Sequence, residues 1–307
     1  MAQGNLYYGG QALIEGVMIR GPRSVAIACR RPDGDIIVRG ETLGYVYTSV
    51  VRRVPFLRGV IVLWETIALG MRSLIFSSNV AVGQENREIS PMSVLSMGLA
   101  AVALVAVLFF AGPVLLTDWL EDRIDSSALV IVIEGAVRLA VLLAYITGIS
   151  IVPEVRRVYA YHGAEHKSIH ALEAGDPLEP PAVQRHPTAH ARCGTSFLLT
   201  VVVVSVLVFV AIGDQDLLTR IATRVALIPV IAAISYELIR LGGRFYENPV
   251  ARALMWPNLA LQALTTRQPD DAQVEVALRA LREVIAQEDA LREGEAAPAA
   301  PGQGATP

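Results

Sequence analysis

The sequence predicts a mainly α, polytopic membrane protein: four transmembrane helices, a small N-terminal β element, an interfacial helix and a cytoplasmic C-terminal helix. Three observations carry this expectation. With 53% hydrophobic residues and a positive mean hydropathy, the 307-residue chain is too apolar for an ordinary soluble domain, and the excess lies in blocks. Four blocks, 94–116, 128–152, 196–213 and 217–238, reach about 17 to 25 residues, the length that crosses a bilayer core. The connections differ in charge: 117–127 holds Asp118, Glu121, Asp122 and Asp125 against Arg123, and 214–216 is acidic, whereas 153–195 carries Arg156, Arg157, Lys167, Arg185 and Arg192. The positive-inside rule then places both termini and segment 153–195 in the cytoplasm, as in a multi-pass protein of the bacterial inner membrane.

Residues 1–93 are expected to form a cytoplasmic β element and the interfacial helix. In Gly9-Gly10-Gln11-Ala12-Leu13-Ile14-Glu15-Gly16 the glycines let the backbone approach a neighbour closely or take positive φ, with a bulged strand as the simpler alternative. The acid of this run, Glu15, is a candidate site residue. Segments 24–30 and 35–39 read as strands around an Arg31-Pro32-Asp33-Gly34 turn. From 56 to 82 the chain is apolar, yet Arg58, Glu65, Arg72 and Asn79 recur every seven residues and mark one polar stripe on a helix. Its charge-poor part, 59–71, is too short for a core of about 30 Å, so this helix is expected to be interfacial, re-entrant or buried. The first transmembrane hairpin occupies 94–152 and the second 196–240, on either side of a cytoplasmic His-rich helix and loop at 153–195. Cytoplasmic helices fill 241–293: an amphipathic one at 249–264, and one from Asp270 to about Arg292 with Val274, Ala277, Leu278, Leu281 and Ile285 on one face. The Ala-, Pro- and Gly-rich stretch 294–307 reads as a disordered tail.

The chemistry is concentrated between residues 161 and 193, which hold all five histidines, the only lysine (Lys167) and one of the two cysteines. On a helix, His162, His166 and His170 form one stripe, rising about 6 Å per step. Two neighbours can grip one ion; all three cannot. Imidazole and thiolate suit a borderline divalent ion such as zinc, and a His pair at i, i+4 supplies half a tetrahedral site. The proline-broken second half offers His186, His190 and Cys193, the last two at a spacing that suits chelation from a tight turn. His162-x-x-Glu165-His166 also spells the H-x-x-E-H order of inverzincin metallohydrolases, in which the glutamate is the general base. The alternative is a polar helix face whose histidines bond backbone or water. Cys29 and Cys193 make no disulfide framework and fit a reducing compartment. No cleavable signal peptide is expected, because the first twenty residues lack a basic region followed by an apolar run.

Inside the apolar blocks, Glu134 and Arg138 form an i, i+4 pair whose burial costs about 2.5 to 3.5 kcal/mol per charge on insertion scales. Such a pair marks a pathway, a site or a helix contact, or neutralises itself for packing. Arg220 and Arg224 are expected to snorkel from the outer end of the fourth block. Glu237, near its inner end, is placed to reach the cytoplasmic site.

The Gly-Gly-Gln-Ala-Leu-Ile-Glu-Gly-Val-Met-Ile-Arg-Gly-Pro opening, Tyr-His-Gly-Ala-Glu-His-Lys in the histidine helix, His-Ala-Arg-Cys-Gly-Thr-Ser-Phe before the third block and Leu-Thr-Thr-Arg-Gln-Pro-Asp-Asp near the end stand in one order along the chain. With these four motifs the chain resembles the bacterial YqhQ family of membrane proteins. That family is functionally uncharacterised and labelled a predicted metal-dependent enzyme, and the resemblance transfers no catalytic residue.

Three functions compete. The first is a membrane-bound, hydrolase-like metal enzyme with His162 and His166 as ligands, Glu165 as base, and a third ligand from His190, Cys193, Glu173 or Glu237. The second is a non-catalytic assembly or scaffold factor for membrane proteins, in which a structural metal staples the loop to the helix. The third is a small transporter using Glu134 and Arg138. The expected partners are the lipid bilayer and other membrane proteins or a second copy of the chain; the net charge of −3 argues against nucleic acid.

Overall fold

The computed structural model describes residues 8–44, 54, 56–83, 90–115, 123–124, 126–213 and 215–296. Several expectations lie outside them: the acidic residues Asp118, Glu121, Asp122, Asp125 and Asp214, on which the orientation rested, and most of the tail, 297–307. Strands β1 (Gly9–Leu13), β2 (Gly16–Arg20), β3 (Ser24–Arg30) and β4 (Ile36–Thr42) form an antiparallel meander in the order β1-β2-β3-β4. The described helices are α1 (Leu57–Ala81), α2 (Pro91–Ala106, continued by a π-turn over Val107–Ala111), α3 (Ser127–Ile149), α4 (Pro153–Ala174), α5 (Pro180–Val183), α6 (Ser196–Ile212), α7 (Leu217–Ala226), α8 (Ile228–Arg244), α9 (Pro249–Thr265) and α10 (Asp271–Ala296).

The glycine-rich opening is a hairpin rather than a bulged strand, with Leu13 opposite Gly16. The expected turn joins β3 to β4, and Gly34 supplies its positive φ of 97°. Side chains alternate across the sheet, so Val17, Ile19, Ala26 and Ala28 face one way and Met18, Val25 and Ile27 the other. The first face packs on Tyr161 and Ala164 of α4 and on Val274, Ala277, Leu278 and Leu281 of α10. Those four α10 residues are the face expected from the sequence. Asp270 and Gln273 start that helix with reciprocal bonds, Gln273 N to Asp270 Oδ1 at 2.7 Å and Asp270 N to Gln273 Oε1 at 3.0 Å, a capping box that fixes where the chain turns helical. The helix runs on to Ala296, taking in the first residues assigned to the tail.

The other sheet face packs on α1 through Leu69 and Val80. This helix is continuous for 25 residues, in line with the stripe read from 56 to 82, and its polar stripe meets partners within the protein. Arg58 donates to Glu237 (Nε to Oε1, 2.7 Å), Glu65 accepts from Arg20 at 3.4 Å, and Arg72 reaches Glu41 at 3.3 Å. Among the described residues, three helical stretches could cross a membrane by length and composition: Arg58–Ala81, Leu95–Leu115 and Ser127–Ile149. A fourth exists if α7 and α8, bent by 47° between them, count as one span. The bend sits where Pro229, in the first turn of α8, can give no backbone N–H to the turn before it. The third expected span, α6, has 17 residues and so rises about 25 Å, short of a core of about 30 Å.

Helix α4 links these parts. Pro153 opens it and Gly175, at φ 73°, closes it in the left-handed conformation. From Ala160 to Ile169 every residue but the half-buried His162 is buried, so neighbours cover this stretch on nearly every side.

Candidate metal centre

Three chain segments converge on the middle of α4. The first is the end of α9 and the stretch after it: Thr265 O lies 2.9 Å from His162 Nδ1, and Arg267 N donates to Tyr159 O at 2.9 Å. It comes so near that a Cβ on Gly163 would collide with Arg267 O and lie 3.3 Å from Thr188 Cγ2, which is why α4 has a glycine in mid-helix. The second is β1. A Cβ on Gly10 would lie 2.6 Å from Met18 O and 2.7 Å from Glu165 Cγ, and the Gly10 amide bonds the Glu165 carboxylate. The third is the loop after α5, fastened along α4 by Lys167 Nζ to Gln184 O (2.8 Å) and His186 O (2.5 Å), His166 Nδ1 to Thr188 O (2.5 Å) and His170 Nε2 to Ala189 O (2.9 Å). Buried Gln262 clamps the loop from the other side, accepting from His190 N at 2.8 Å and donating to His190 O at 3.0 Å.

This zippering brings His162, His166 and Cys193 together, with one ligand atom from each lying within 4.8 Å of the others. Backbone carbonyls facing Nδ1 of His162 and His166 require a proton there, which leaves each Nε2 lone pair for an ion. Cys193 Sγ lies 3.3 Å from His162 Nε2, close to the roughly 3.5 Å edge of a tetrahedral zinc site with nitrogen and sulfur ligands. Thr195 supports the sulfur by donating its amide at 3.4 Å and by a hydroxyl contact at 3.1 Å. Burial lowers the affinity of His166 and His190 for protons and holds His170 down to about 4, so these imidazoles are neutral at pH 7. The residues therefore fit a divalent metal ion.

Glu165 is 3% exposed, and its Oε2 lies 3.5 Å from His166 Nε2. Burial pushes its carboxyl above the usual carboxylate range, against the opposing pull of His162, His190 and the Gly10 amide. Glu165, His166 and Cys193 border a cavity of about 440 Å³ whose far wall includes Val62 and Thr66 of α1 and Tyr236 of α8. Catalytic zinc sites keep one position open beside three protein ligands, and an acid/base group facing such a cavity is placed to serve it.

Not every expected residue joins this group. His190 and Cys193 do not chelate together: His190 falls with His170 and Glu173 in a second cluster. There Glu173 is exposed and already paired with Arg192, which makes it the poorer site. His186 bonds Asp176 at 2.9 Å, and Lys167 holds loop carbonyls. Glu15, at φ 52°, binds the Arg157 guanidinium through both oxygens at 2.6 Å and Tyr161 at 3.2 Å, clamping the β1–β2 turn to α4. Glu237 is taken by Arg58, away from the histidines. Arg138 bonds Glu134 at 2.7 Å and Phe109 O at 2.8 Å. The expected snorkelling of Arg220 and Arg224 is not observed. Both are buried, and Arg224 donates to Glu134, whose carboxylate on α3 gives the guanidinium a partner inside the protein. Sequence reasoning missed Gln262, Thr195 and the carbonyls of Thr188 and Thr265. Gln262, one of two amides with Asn258 in a largely apolar helix, was the one legible signal.

A family model described as a protein of unknown function, DUF1385, matches residues 54–287. A protein of Bacillus subtilis (strain 168), "Uncharacterized protein YqhQ", is 35% identical over 293 residues, covering 91% of this chain and 92% of the relative. No solved structure matches the chain. The sequence motifs, the span of the family model and this full-length likeness lead to one assignment: the chain belongs to the DUF1385 family, together with YqhQ of Bacillus subtilis.

Proposed function

We propose that the chain is a metal-dependent hydrolase of the bacterial inner membrane, with both termini and the histidine site on the cytoplasmic side. The observation that carries this reading is the convergence of His162, His166 and Cys193 beside the Glu165 carboxylate, with Glu165, His166 and Cys193 bordering one cavity. Zinc suits a nitrogen and sulfur donor set of this kind, and when bound it supplies Lewis-acid polarisation of a water or a carbonyl. Glu165 would accept a proton on that cavity and return it to a leaving group. The Gly10 amide and the walls of β1 and α4 hold its carboxylate in place.

A second reading keeps the metal but not the chemistry. Its support is the zippered loop: a zinc joining Cys193 to His162 and His166 would staple the loop to α4 and hold the protein as a scaffold. Metal analysis of purified full-length protein, with Glu165→Gln assayed for complementation of a deletion strain, separates the readings. Near-stoichiometric zinc in wild type, lost in His162→Ala, His166→Ala and Cys193→Ser, supports the centre, and equal metal in all four removes it. A Glu165→Gln protein that keeps its metal but fails to complement supports the enzyme. One that is metal-replete and complements fully leaves the scaffold.

A further inference from the structure

We propose that the end of the apolar helices remote from the histidine centre holds a binding site for a phosphate group. A cavity of about 270 Å³ opens there between the first half of α3, the end of α6 and α7. Glu134, Arg220 and Arg224 form its polar wall, and Ile131, Phe209 and Ile212 its apolar wall. Arg224 is 4% exposed. One of its three nitrogens, Nη2, donates to Glu134 Oε2, and the guanidinium lies 5.3 Å from the Phe209 ring centre, but Nε and Nη1 are buried with no hydrogen-bond partner among the described residues. Arg138 donates to the other oxygen of the same carboxylate at 2.7 Å, so two guanidiniums share one negative charge. Arg220 brings a further positive charge to the wall and donates to Gln215 O at 3.1 Å.

A buried cation with unused donors is costly unless something negative completes it. Proton release gives no way out, because a guanidinium stays protonated in proteins. An anion accepting from Nε and Nη1 would supply both the charge and the missing bonds. Phosphate oxygens accept from guanidinium in this manner, at charge-assisted strength. The apolar side of the cavity gives room for carbon attached to the phosphate. The shared chemistry is therefore a phosphate group, carried either by a phospholipid of the surrounding bilayer or by free phosphate in solution. This inference is independent of the metal reading, since no residue of one site belongs to the other.

The test uses full-length protein purified in a phosphorus-free maltoside detergent, with Arg224→Gln and Arg224→Lys prepared alongside. The lysine variant keeps a cation for Glu134 but lacks the guanidinium donors, so it separates loss of the site from loss of the fold. Native mass spectrometry and phosphorus analysis are expected to find about one retained phospholipid per wild-type chain, held roughly tenfold more weakly by Arg224→Lys, a difference of about 1.4 kcal/mol. If no lipid is retained, inorganic phosphate added to delipidated protein is expected to raise the apparent unfolding temperature of wild type and not of Arg224→Lys, which identifies free phosphate as the source. Metal content should be equal in wild type and Arg224→Lys. Retention and phosphate response that are the same in wild type and Arg224→Lys, or a wild type that neither keeps a phosphorus compound nor responds to phosphate, overturn the proposal.

Discussion

Gly163→Ala tests the assembly of the centre, because two well-founded expectations oppose each other there. Within a helix, replacing glycine by alanine ordinarily stabilises by about 1 kcal/mol. At Gly163 the added methyl would meet Arg267 O, a backbone atom that cannot rotate aside, and would press on Thr188 Cγ2. The segment can yield only by moving off α4. That motion strains the Arg267 N to Tyr159 O bond and the Thr265 O contact of His162. Overpacking together with a weakened bond costs about 3 kcal/mol, so the net loss is about 2 kcal/mol once the helical gain is subtracted. For a chain of this size that lowers the unfolding midpoint by roughly 3 °C. Metal content should fall as well, since losing the partner of a ligand's second nitrogen weakens affinity about 10- to 100-fold. The control is Gly98→Ala in α2, where nothing lies within 4 Å of the new methyl and the helical gain should survive. The assay is thermal unfolding in detergent followed by a core signal, with zinc measured on the same samples. A Gly163→Ala protein as stable as wild type, or more so, would show that the 265–268 segment does not press on α4 as described.

Gln262→Leu is expected to destabilise by about 1 to 3 kcal/mol, because the leucine fills similar space but leaves the buried His190 amide without the Gln262 acceptor, while the His190 carbonyl keeps only Cys193 N at 3.2 Å; denaturant unfolding in detergent measures it, and a loss under about 0.5 kcal/mol would contradict the clamp. Glu15→Gln probes the turn clamp through pH. Hydrogen bonding from Arg157, above all, holds the Glu15 carboxyl below the usual range, so its contribution is present above the unfolded-state pKa and is lost as pH falls through the folded-state value. The wild-type stability curve should therefore drop more steeply than that of Glu15→Gln on acidification below the ordinary carboxylate range. At neutral pH the difference should be about 1 kcal/mol, since Arg157 is half exposed and solvent screens the pair. Parallel curves for the two proteins would remove the clamp.

Where a feature is local, the sequence already displays it. Residues 33 and 34 mark the β3–β4 turn, Asp270 marks the start of α10, Val274 to Leu281 name its buried face, and the spacing of His162 and His166 pairs them on α4. The misread features depend on partners far along the chain. The stripe of α1 was legible but its partners were not, because Glu237 and Arg20, which meet Arg58 and Glu65, lie 179 and 45 positions away. His190 and Cys193 looked like one chelate because they are three residues apart, but the loop's path is set by Gln262, 72 positions beyond His190. Arg224 was misread because its partner, Glu134, lies 90 positions earlier in the chain.

These long-range contacts tie the candidate centre to the apolar helices. Cys193 lies three residues before α6, and Ser196, at the first turn of that helix, is buried and accepts from Gln262 Nε2 at 3.3 Å. Gln262 belongs to α9 and at the same time holds both backbone groups of His190. On the other side, Thr265, at the end of α9, supplies the carbonyl that orients His162. Displacing α6 against α4 would therefore shift the Cys193 sulfur relative to the two imidazoles, and displacing α9 would turn His162. A tetrahedral site tolerates such shifts poorly, because useful geometry must be kept within about 0.5 Å. The packing of α6 and α9 therefore sets the ligand geometry as directly as α4 does. Changes in that packing should be read in metal affinity before they are read in unfolding, since the ligands feel a displacement that a core of apolar contacts absorbs.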